Sequence, residues 1–488
     1  MYRYGDKSSL SRRVCRTFEF KGCKMRVLFC ASEIFGHAKS GGLADVAYSL
    51  VQVLSKYTQI VSVMPFYTFM DKKAYQKSAI NFSVELGGAE YEIELYESLD
   101  RGVKSYFVHC ALLSSTKEMY GDESGEYANN DIRFAIFSAA VVKLATILKI
   151  ELIHANDWHS ALVPLFVKRA DLGIKTIFTI HNLAYQGVFE KNSLSRIGIE
   201  EKYFTMEALE FYGKVNFLKA GIIFSDMITT VSPTYAKEIL TKEFGCGLEG
   251  LLMANRHKLT GIMNGIDTDV FDPQNDKALW SPFGADSLKN KYKNKKEFQK
   301  EIALRDVKKP LFIMISRMVH QKGFDLLLES LHDFLKEDIN FVLLANGEES
   351  YKKRVQSYEA EYKNFKFLSG YKEELSHQIY AAGDFLLMPS LYEPCGLNQM
   401  IAARYGTIPI VHKVGGLADS VHEKKMQCAR GFLFSKPTKK ALLMAIKRAL
   451  RLKKESKKFN DMISFNMNCD FSFEKSALLY YKLYKKVL

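Results

Sequence analysis

One heptapeptide that occurs twice constrains this chain more than any other feature: Lys39-Ser-Gly-Gly-Leu-Ala-Asp45 returns as Lys413-Val-Gly-Gly-Leu-Ala-Asp419. Each copy stands between a short apolar run and a helix-like one, so each reads as a strand, a glycine turn and a helix. Paired glycines let the main chain approach a ligand closely, and the free amides at a helix start favour phosphate or polar sugar oxygens. Two such copies point to two α/β domains of one kind that share a cleft. Around the first copy the runs RVLFCAS, IVSVMPF, KSYFVHC, LIHAN, KTIFTIHN and MITTVS alternate with helical stretches, among them 131–148. Around the second, PLFIMISR, NFVLLAN, FKFLSG, DFLLMPS and TIPIVH do the same. The expected fold class is therefore α/β, with two parallel, Rossmann-like domains facing each other across a deep cleft.

The domain boundaries read as a basic extension over 1–24, a first domain over 25–275, a linker over 276–300, a second domain over 301–470 and a C-terminal helix over 471–488. The linker is placed where Pro282, Gly284 and six lysines between 289 and 300 interrupt the apolar pattern. The last helix can pack against either domain. At 488 residues, 47% hydrophobic and 25% charged, the chain is long enough for two cores and has the composition of a soluble globular protein.

A net charge of +14 raises the question of a nucleic-acid or membrane-surface partner. The charge sits at the ends, with seven Lys/Arg against two acids in 1–24 and thirteen against four in 439–488, which leaves the body between them neutral. The helical spacing of the apolar residues in the basic tail reads as a solvated helix face, so neither partner is expected. No run reaches the roughly 18 apolar residues that a membrane helix needs. Asp6, Arg12, Arg13 and Arg16 stand where a signal peptide would place its apolar stretch, and a cytoplasmic location follows as the expectation. The eight cysteines lie at irregular spacings, with no Cys-x-x-Cys pair, which suggests neither disulfides nor a metal site.

Three further segments carry polar groups at strand ends. Ser316-Arg317-Met-Val-His-Gln-Lys322-Gly323 sets a guanidinium and an ammonium across one loop, where they can grip a diphosphate. In Pro389-Ser-Leu-Tyr-Glu393-Pro-Cys395-Gly396-Leu397-Asn398 the carboxylate of Glu393 precedes a proline, so it stands in a loop and can stabilise positive charge at an anomeric carbon. Amides of Gly396 to Asn398 are available there to phosphate. Thr179-Ile-His181-Asn182 and Asn156-Asp157-Trp158-His159 end neighbouring strands. Gly245-Cys-Gly247-Leu-Glu-Gly250 matches a dinucleotide fingerprint but follows a helix-like stretch and reads as a loop, and Asp267-Thr-Asp269 beside Asn264-Gly265 reads as a turn.

From Met25 almost to its last residue the chain resembles the bacterial glycogen and starch synthases. The resemblance rests on ASEIFGHAKSGGLADV, HANDWHSALVP, TIHNLAYQG, GLEGLL, NGID, SRMVHQKGFDLL, MPSLYEPCGLNQM and ARYGTIPIVHKVGGLADSV, in that order. It implies a GT-B fold, transfer of glucose from ADP-glucose to the non-reducing end of an α-1,4-glucan with retention, and no metal or dinucleotide cofactor. It implies catalytic roles for His181, Arg317, Lys322 and Glu393, with the diphosphate neutralised by Arg317 and Lys322. Lys39, Gly41, Gly42, Asp45, Asp157, Asn182, Asn264, Cys395, Gly396, Leu397 and Asn398 are implied to bind substrate, and Tyr371 to stack on the base. The chain departs from the pattern at Gly36, where proline is usual, at Ser40 and Asn398, where threonine is commoner, and at Ile401, where wider GT-B enzymes keep a glutamate. Residues 1–24 lie outside the resemblance, either a consequence of start-site choice or a short basic targeting segment. A UDP-glucose-dependent GT-B enzyme is the alternative reading, and a basic surface-binding protein the non-enzymatic one.

Overall fold

The computed structural model describes residues 25–123, 125–370, 372–423 and 429–488, so the basic extension and Tyr371 lie outside the described residues. The first unit is built on a nine-stranded sheet. Its strands are β1 (Arg26–Cys30), β2 (Gln59–Pro65), β3 (Gln76–Leu86), β4 (Ala89–Asp100), β5 (Val103–His109), β6 (Leu152–Asn156), β7 (Lys175–Ile180), β8 (Met227–Thr230) and β9 (Leu259–Gly261). Their order across the sheet is β9-β8-β7-β6-β1-β2-β5-β4-β3. The central strands are parallel and buried along nearly their whole length, as their unbroken apolar runs require. At one edge β3, β4 and β5 run antiparallel, so this sheet is mixed where an all-parallel one was expected. The alternation of charged and apolar residues in YEIELYE fits an edge with one face in water, and that pattern of period two is the signal for these strands.

Helix α1 (Gly42–Leu54) leaves β1 through the first glycine pair, α2 (Asn130–Ile147) runs buried against the sheet, and α3 (Pro233–Glu238) follows β8. Apolar residues surround α2 on almost every side, which matches its position inside the core.

The second unit holds a six-stranded parallel sheet of β10 (Leu311–Met318), β11 (Asn340–Gly347), β12 (Phe365–Ser369), β13 (Phe385–Met388), β14 (Ile408–His412) and β15 (Phe432–Phe434), in the order β12-β11-β10-β13-β14-β15. Four helices of this unit matter below: α4 (Leu288–Glu301), α5 (Phe324–Leu335), α6 (Asn398–Arg404) and α7 (Gly415–Ser420).

Helix α4 occupies the segment read from the sequence as linker. Its buried face carries Lys291, Asn294, Lys295 and Phe298 into the second core. Lys291 Nζ donates to the carbonyls of Ala381 and Tyr405 at 2.9 and 2.8 Å, and Lys295 Nζ to Asp384 at 2.6 Å. Alternate lysines in this run are thus core residues with distant partners, and the remainder face water.

The C-terminal helix α8 (Glu474–Val487) packs on the first unit, with Ala477, Tyr480 and Tyr484 buried beside β1 and α1 and the Tyr484 hydroxyl 2.7 Å from His154 Nδ1. The chain therefore crosses twice between units. The crossings meet where Ile266 N donates to Phe471 O at 2.8 Å, and a Cβ on Gly265 would lie 2.5 Å from the carbonyl carbon of Ser472, so only glycine fits there.

Candidate active site

The loop after β10 and the loop after β13 are stitched together. Gly323, at φ 73°, lies so close to Pro389 that a Cβ would come within 2.0 Å of its carbonyl oxygen. Leu391 N donates to Gln321 O at 2.9 Å, and Gln321 Nε2 to Tyr392 O at 3.3 Å. This contact carries Lys322 onto Glu393. The ammonium reaches both carboxylate oxygens, at 2.8 and 2.7 Å, and Ser390 Oγ donates to one of them at 2.9 Å. Glu393 is 6% exposed, so the pair is a buried, bidentate ion pair and stronger than a surface one. Arg317, five residues before Lys322, is exposed at the end of β10 and makes no ion pair among the described residues.

After Glu393 the loop turns through Gly396, at φ 71°, into α6. Cys395 is buried against Asn264, and burial pushes its thiol up to about 12, so it is no nucleophile at neutral pH. The Oδ1 of Asn264, itself buried, has no hydrogen-bond partner among the described residues. Asn398 is not idle: its Nδ2 donates to Ile315 O at 2.8 Å, pinning α6 to the end of β10.

The first unit supplies the opposite wall. Gly41 is extended and stands at the N-cap of α1, and a Cβ on Gly42 would lie 3.5 Å from Leu397 Cδ1 of the second unit. The two glycine-bearing loops thus meet across the cleft. Lys39 Nζ donates to Asp45 at 2.7 Å. Glu33, buried at the end of β1, accepts from the amides of Ser40 and Gly41, from Ser40 Oγ at 3.1 Å and from the Tyr120 hydroxyl at 3.3 Å. Burial raises the Glu33 pKa, and these donors oppose the shift. The same hydroxyl lies 2.7 Å from Ser32 Oγ, which is 3.2 Å from His159 Nδ1.

Asp157 sits at φ 55° after β6 and accepts the His181 amide at 2.7 Å. Burial pushes its carboxyl up to about 7, against the two amides that hold it down. His181 lies with Nε2 2.9 Å from Asn156 Oδ1. Since Asn156 Nδ2 donates to Cys30 O and His154 O, its Oδ1 is the acceptor here, and His181 carries its proton on Nε2. Burial lowers the His181 pKa to about 3, which keeps the ring neutral and makes it a hydrogen-bonding group, not a cation. Asn182 follows, its Oδ1 accepting from Ala184 N at 3.1 Å.

The second copy of the repeat departs from its expected role. Gly415 N donates to the Glu238 carboxylate of α3 at 3.0 and 3.1 Å, and Gly416 N to Glu393 O at 3.0 Å. A Cβ on Gly415 would lie 2.1 Å from Glu393 O, and one on Gly416 2.0 Å from Cys395 O. Here the paired glycines admit the loop that bears Glu393, and these amides are satisfied inside the protein instead of awaiting a ligand. Asp419, accepting from Thr234 N at 2.8 Å and Thr234 Oγ1 at 2.7 Å, closes the same inter-unit contact.

Asp267 Oδ1 accepts from the amides of Asp269 and Val270, which is the turn read from the sequence. Residues 239–248 form turns, as the loop reading of the glycine fingerprint expects, although Gly250 falls inside a short helix, Glu249–Ala254. Two residues that organise the site were not singled out from sequence. Glu33 had a signal, an acid at the end of the first buried strand. Glu238 had none, because its partner lies 177 residues away.

Residues 26–254 match the family model for the starch synthase catalytic domain, and residues 295–463 that for glycosyl transferases group 1. The chain is 44% identical to the glycogen synthase of Aquifex aeolicus, covering 95% of this chain and 99% of that protein, and 40% identical to that of Thermotoga petrophila with the same coverage. Among solved structures, the catalytic domain of starch synthase IV from Arabidopsis thaliana, bound to ADP and acarbose, superposes with a TM-score of 0.87 at 31% identity, covering 95% of this chain and 99% of that one. Sucrose-phosphate synthase from Thermosynechococcus elongatus, at 16% identity and a TM-score of 0.62, shares the fold.

Proposed function

Because the chain belongs to the glycogen and starch synthase family of GT-B glycosyltransferases, we propose that it transfers glucose from ADP-glucose to the non-reducing end of an α-1,4-glucan, retaining the anomeric configuration. The observation that carries this reading is the buried Lys322–Glu393 pair, with the exposed Arg317 five residues before Lys322 at the end of β10. In the proposed reaction the bond from glucose C1 to the diphosphate breaks, and its electron pair leaves on the phosphate oxygen. Arg317 and Lys322 offset that charge. Glu393 stabilises the positive charge growing at C1. The acceptor hydroxyl attacks C1 from the same face, and its proton passes to the departing phosphate, so no enzymic nucleophile is needed. Neutral His181 and Asn182 border the sugar, and Asp157 lies beside them.

The first unit, 25–275, is proposed to hold the glucan side and the second, 301–470, the nucleotide-sugar side. The donor is further assigned to Lys39, Gly41, Gly42 and Asp45 on one wall and to Asn264 with the loop 395–398 on the other, with Tyr371 against the base. The Arabidopsis relative is bound to ADP and acarbose, which supports ADP-glucose as the donor and a glucan as the acceptor. Among the described residues no helix is long and apolar enough to cross a membrane, and the proposed location is the cytoplasm.

Labelled glucose supplied as ADP-glucose or UDP-glucose, with glycogen as acceptor, tests the donor, and proton NMR of the new linkage tests its anomeric form. Transfer from ADP-glucose with an α linkage is expected. Transfer from UDP-glucose alone, or a β linkage, overturns the finer reading.

Glu33 is expected to act through the loop it anchors. In Glu33→Ala the Ser40 and Gly41 amides lose their acceptor, at about 1–3 kcal/mol for each buried group left unpaired. KM for ADP-glucose should rise about tenfold or more, with KM for glycogen little changed. Glu33→Gln keeps an acceptor for the amides and a donor for the hydroxyls, so initial-rate kinetics should find it close to wild type.

A further inference from the structure

We propose that the hairpin tip at Tyr212, together with Tyr185, forms an aromatic platform on which the glucan chain lies as it enters the transfer cleft. The proposal rests on the reading of the chain as a glucan-extending enzyme. Strands Glu210–Phe211 and Lys214–Asn216 pair antiparallel with Phe211 opposite Lys214, which leaves Tyr212-Gly213 as a two-residue turn. Their φ angles are 50° and 79°. A turn with two positive φ angles favours Asn, Asp or Gly at its first position, and a bulky residue there is strained. Tyr212 accepts that strain while 82% exposed. Among the described residues its one ring contact is an edge-on approach to Phe211, with centroids 4.7 Å apart. Burial within the fold therefore does not explain the residue, and a partner arriving from solvent does.

The neighbours of this tip lead to the reacting centre. The rings of Phe211 and Tyr212 lie 3.1 and 3.5 Å from where a Gly247 Cβ would stand. Cys246, also at positive φ, accepts from Gln186 Nε2 at 3.0 Å, and Gln186 Oε1 accepts from Asn216 Nδ2 at 2.6 Å, so one side chain ties the loop to the base of the hairpin. Next to it, Tyr185 is 45% exposed. Across the cleft, burial and then the charge of Tyr185 push the Tyr392 phenol up to about 12, and Tyr392 precedes Glu393. The exposed phenols of Tyr212 and Tyr185 are thus tied together through Gln186, and the half-buried phenol of Tyr392 stands next in the chain to the residue proposed to meet the transferred glucose.

The chemistry selects a neutral ligand rich in hydroxyls. Lys214 on the hairpin is already paired with Glu190 at 2.8 Å, so the tip offers a polyanion no free charge of its own. A pyranose has a C–H face that packs on an aromatic ring and hydroxyls at its edge that bond to phenols. An α-glucan repeats that face along its length.

The test compares wild type, Tyr212→Asn and Tyr212→Phe by electrophoresis in gels containing glycogen and by initial rates with each substrate varied in turn. Asn tolerates the positive φ, so Tyr212→Asn should melt at the wild-type temperature or above it. Its KM for glycogen should rise about fivefold or more, its retardation by glycogen should weaken, and its KM for ADP-glucose should stay within about twofold. Tyr212→Phe, which keeps the ring, should lie near wild type. Unchanged glycogen KM and mobility in Tyr212→Asn overturn the platform while leaving the transfer reaction intact. A wild type that transfers from neither sugar nucleotide, yet is retarded by glycogen through Tyr212, overturns the reaction and leaves the platform standing.

Discussion

Replacing Glu393 with alanine is expected to lower kcat for glucose transfer by about 10³-fold or more, and replacing Lys322 to lower it by about 10²-fold or more. Each residue holds the other. With Glu393 gone, the Lys322 ammonium keeps neither of its carboxylate bonds, and it is free to leave the position from which it is proposed to meet the departing phosphate. With Lys322 gone, Glu393 is left 6% exposed with Ser390 Oγ and no counter-charge. Held by one hydroxyl alone, the carboxylate loses the position that the ammonium gave it. The two losses should therefore fail to add, so that Lys322→Ala/Glu393→Ala is little slower than Glu393→Ala alone.

Urea denaturation of the same proteins separates catalysis from folding. Truncating one member of a buried pair costs about 3–5 kcal/mol through the orphaned charge, and the double variant relieves part of that cost. A Glu393→Ala protein that is folded and retains more than about a tenth of wild-type kcat would remove Glu393 from the chemistry.

The second large effect is on stability. Asp384 opens β13 and is 1% exposed, with Lys295 at 2.6 Å, Lys453 at 2.7 Å and the Leu311 amide at 2.8 Å on its carboxylate. Among the described residues it is the one acid these two ammonium groups share, and Lys291, also buried, lies on the same helix as Lys295. Asp384→Ala strands that positive charge and should lower the free energy of unfolding by about 3–5 kcal/mol, read as a fall in the urea midpoint at constant slope.

Burial alone would raise the Asp384 pKa, but Lys295 and Lys453 hold it below the usual carboxylate range. A group whose pKa is depressed on folding stabilises the protein above its unfolded pKa, and that contribution is lost as pH falls through the folded value. The difference between wild type and Asp384→Asn should therefore be full at neutral pH and shrink below about pH 4. Asp384 stands at the start of its strand and the loops of the site leave the opposite end, so KM values below the melting temperature should not move.

Much of the candidate site is legible in sequence because its residues lie where a strand stops. Lys39, Arg317, Lys322 and Glu393 each follow an apolar run and precede a helix start, His181 directly follows a strand, and an α/β sheet gathers such positions at one end. What sequence does not supply is the pairing among them. Lys322 and Glu393 are 71 residues apart, and only the approach of two loops through Gly323 brings their charges together. The second glycine pair reads like the first, yet its amides are taken by Glu238 and by the main chain of Glu393, because a carboxylate from the other unit reaches that helix start before any ligand does.

Sequence alone determined the elements whose causes act over a few residues: the buried parallel strands, the glycine turns, α2 and the turn at Asp267. Tertiary structure decided the rest. The lysine-rich run at 289–300 reads as linker, but Lys291 and Lys295 are buried, since acceptors about 90 residues ahead replace water around each ammonium. The C-terminal helix could have packed on either unit, and it lies on the first because Tyr480 and Tyr484 find a buried seat beside β1 and α1, with a hydrogen-bond partner in His154. Periodicity and propensity act over one or two turns of chain, whereas a buried polar group can be satisfied by any residue that the fold brings within hydrogen-bonding distance.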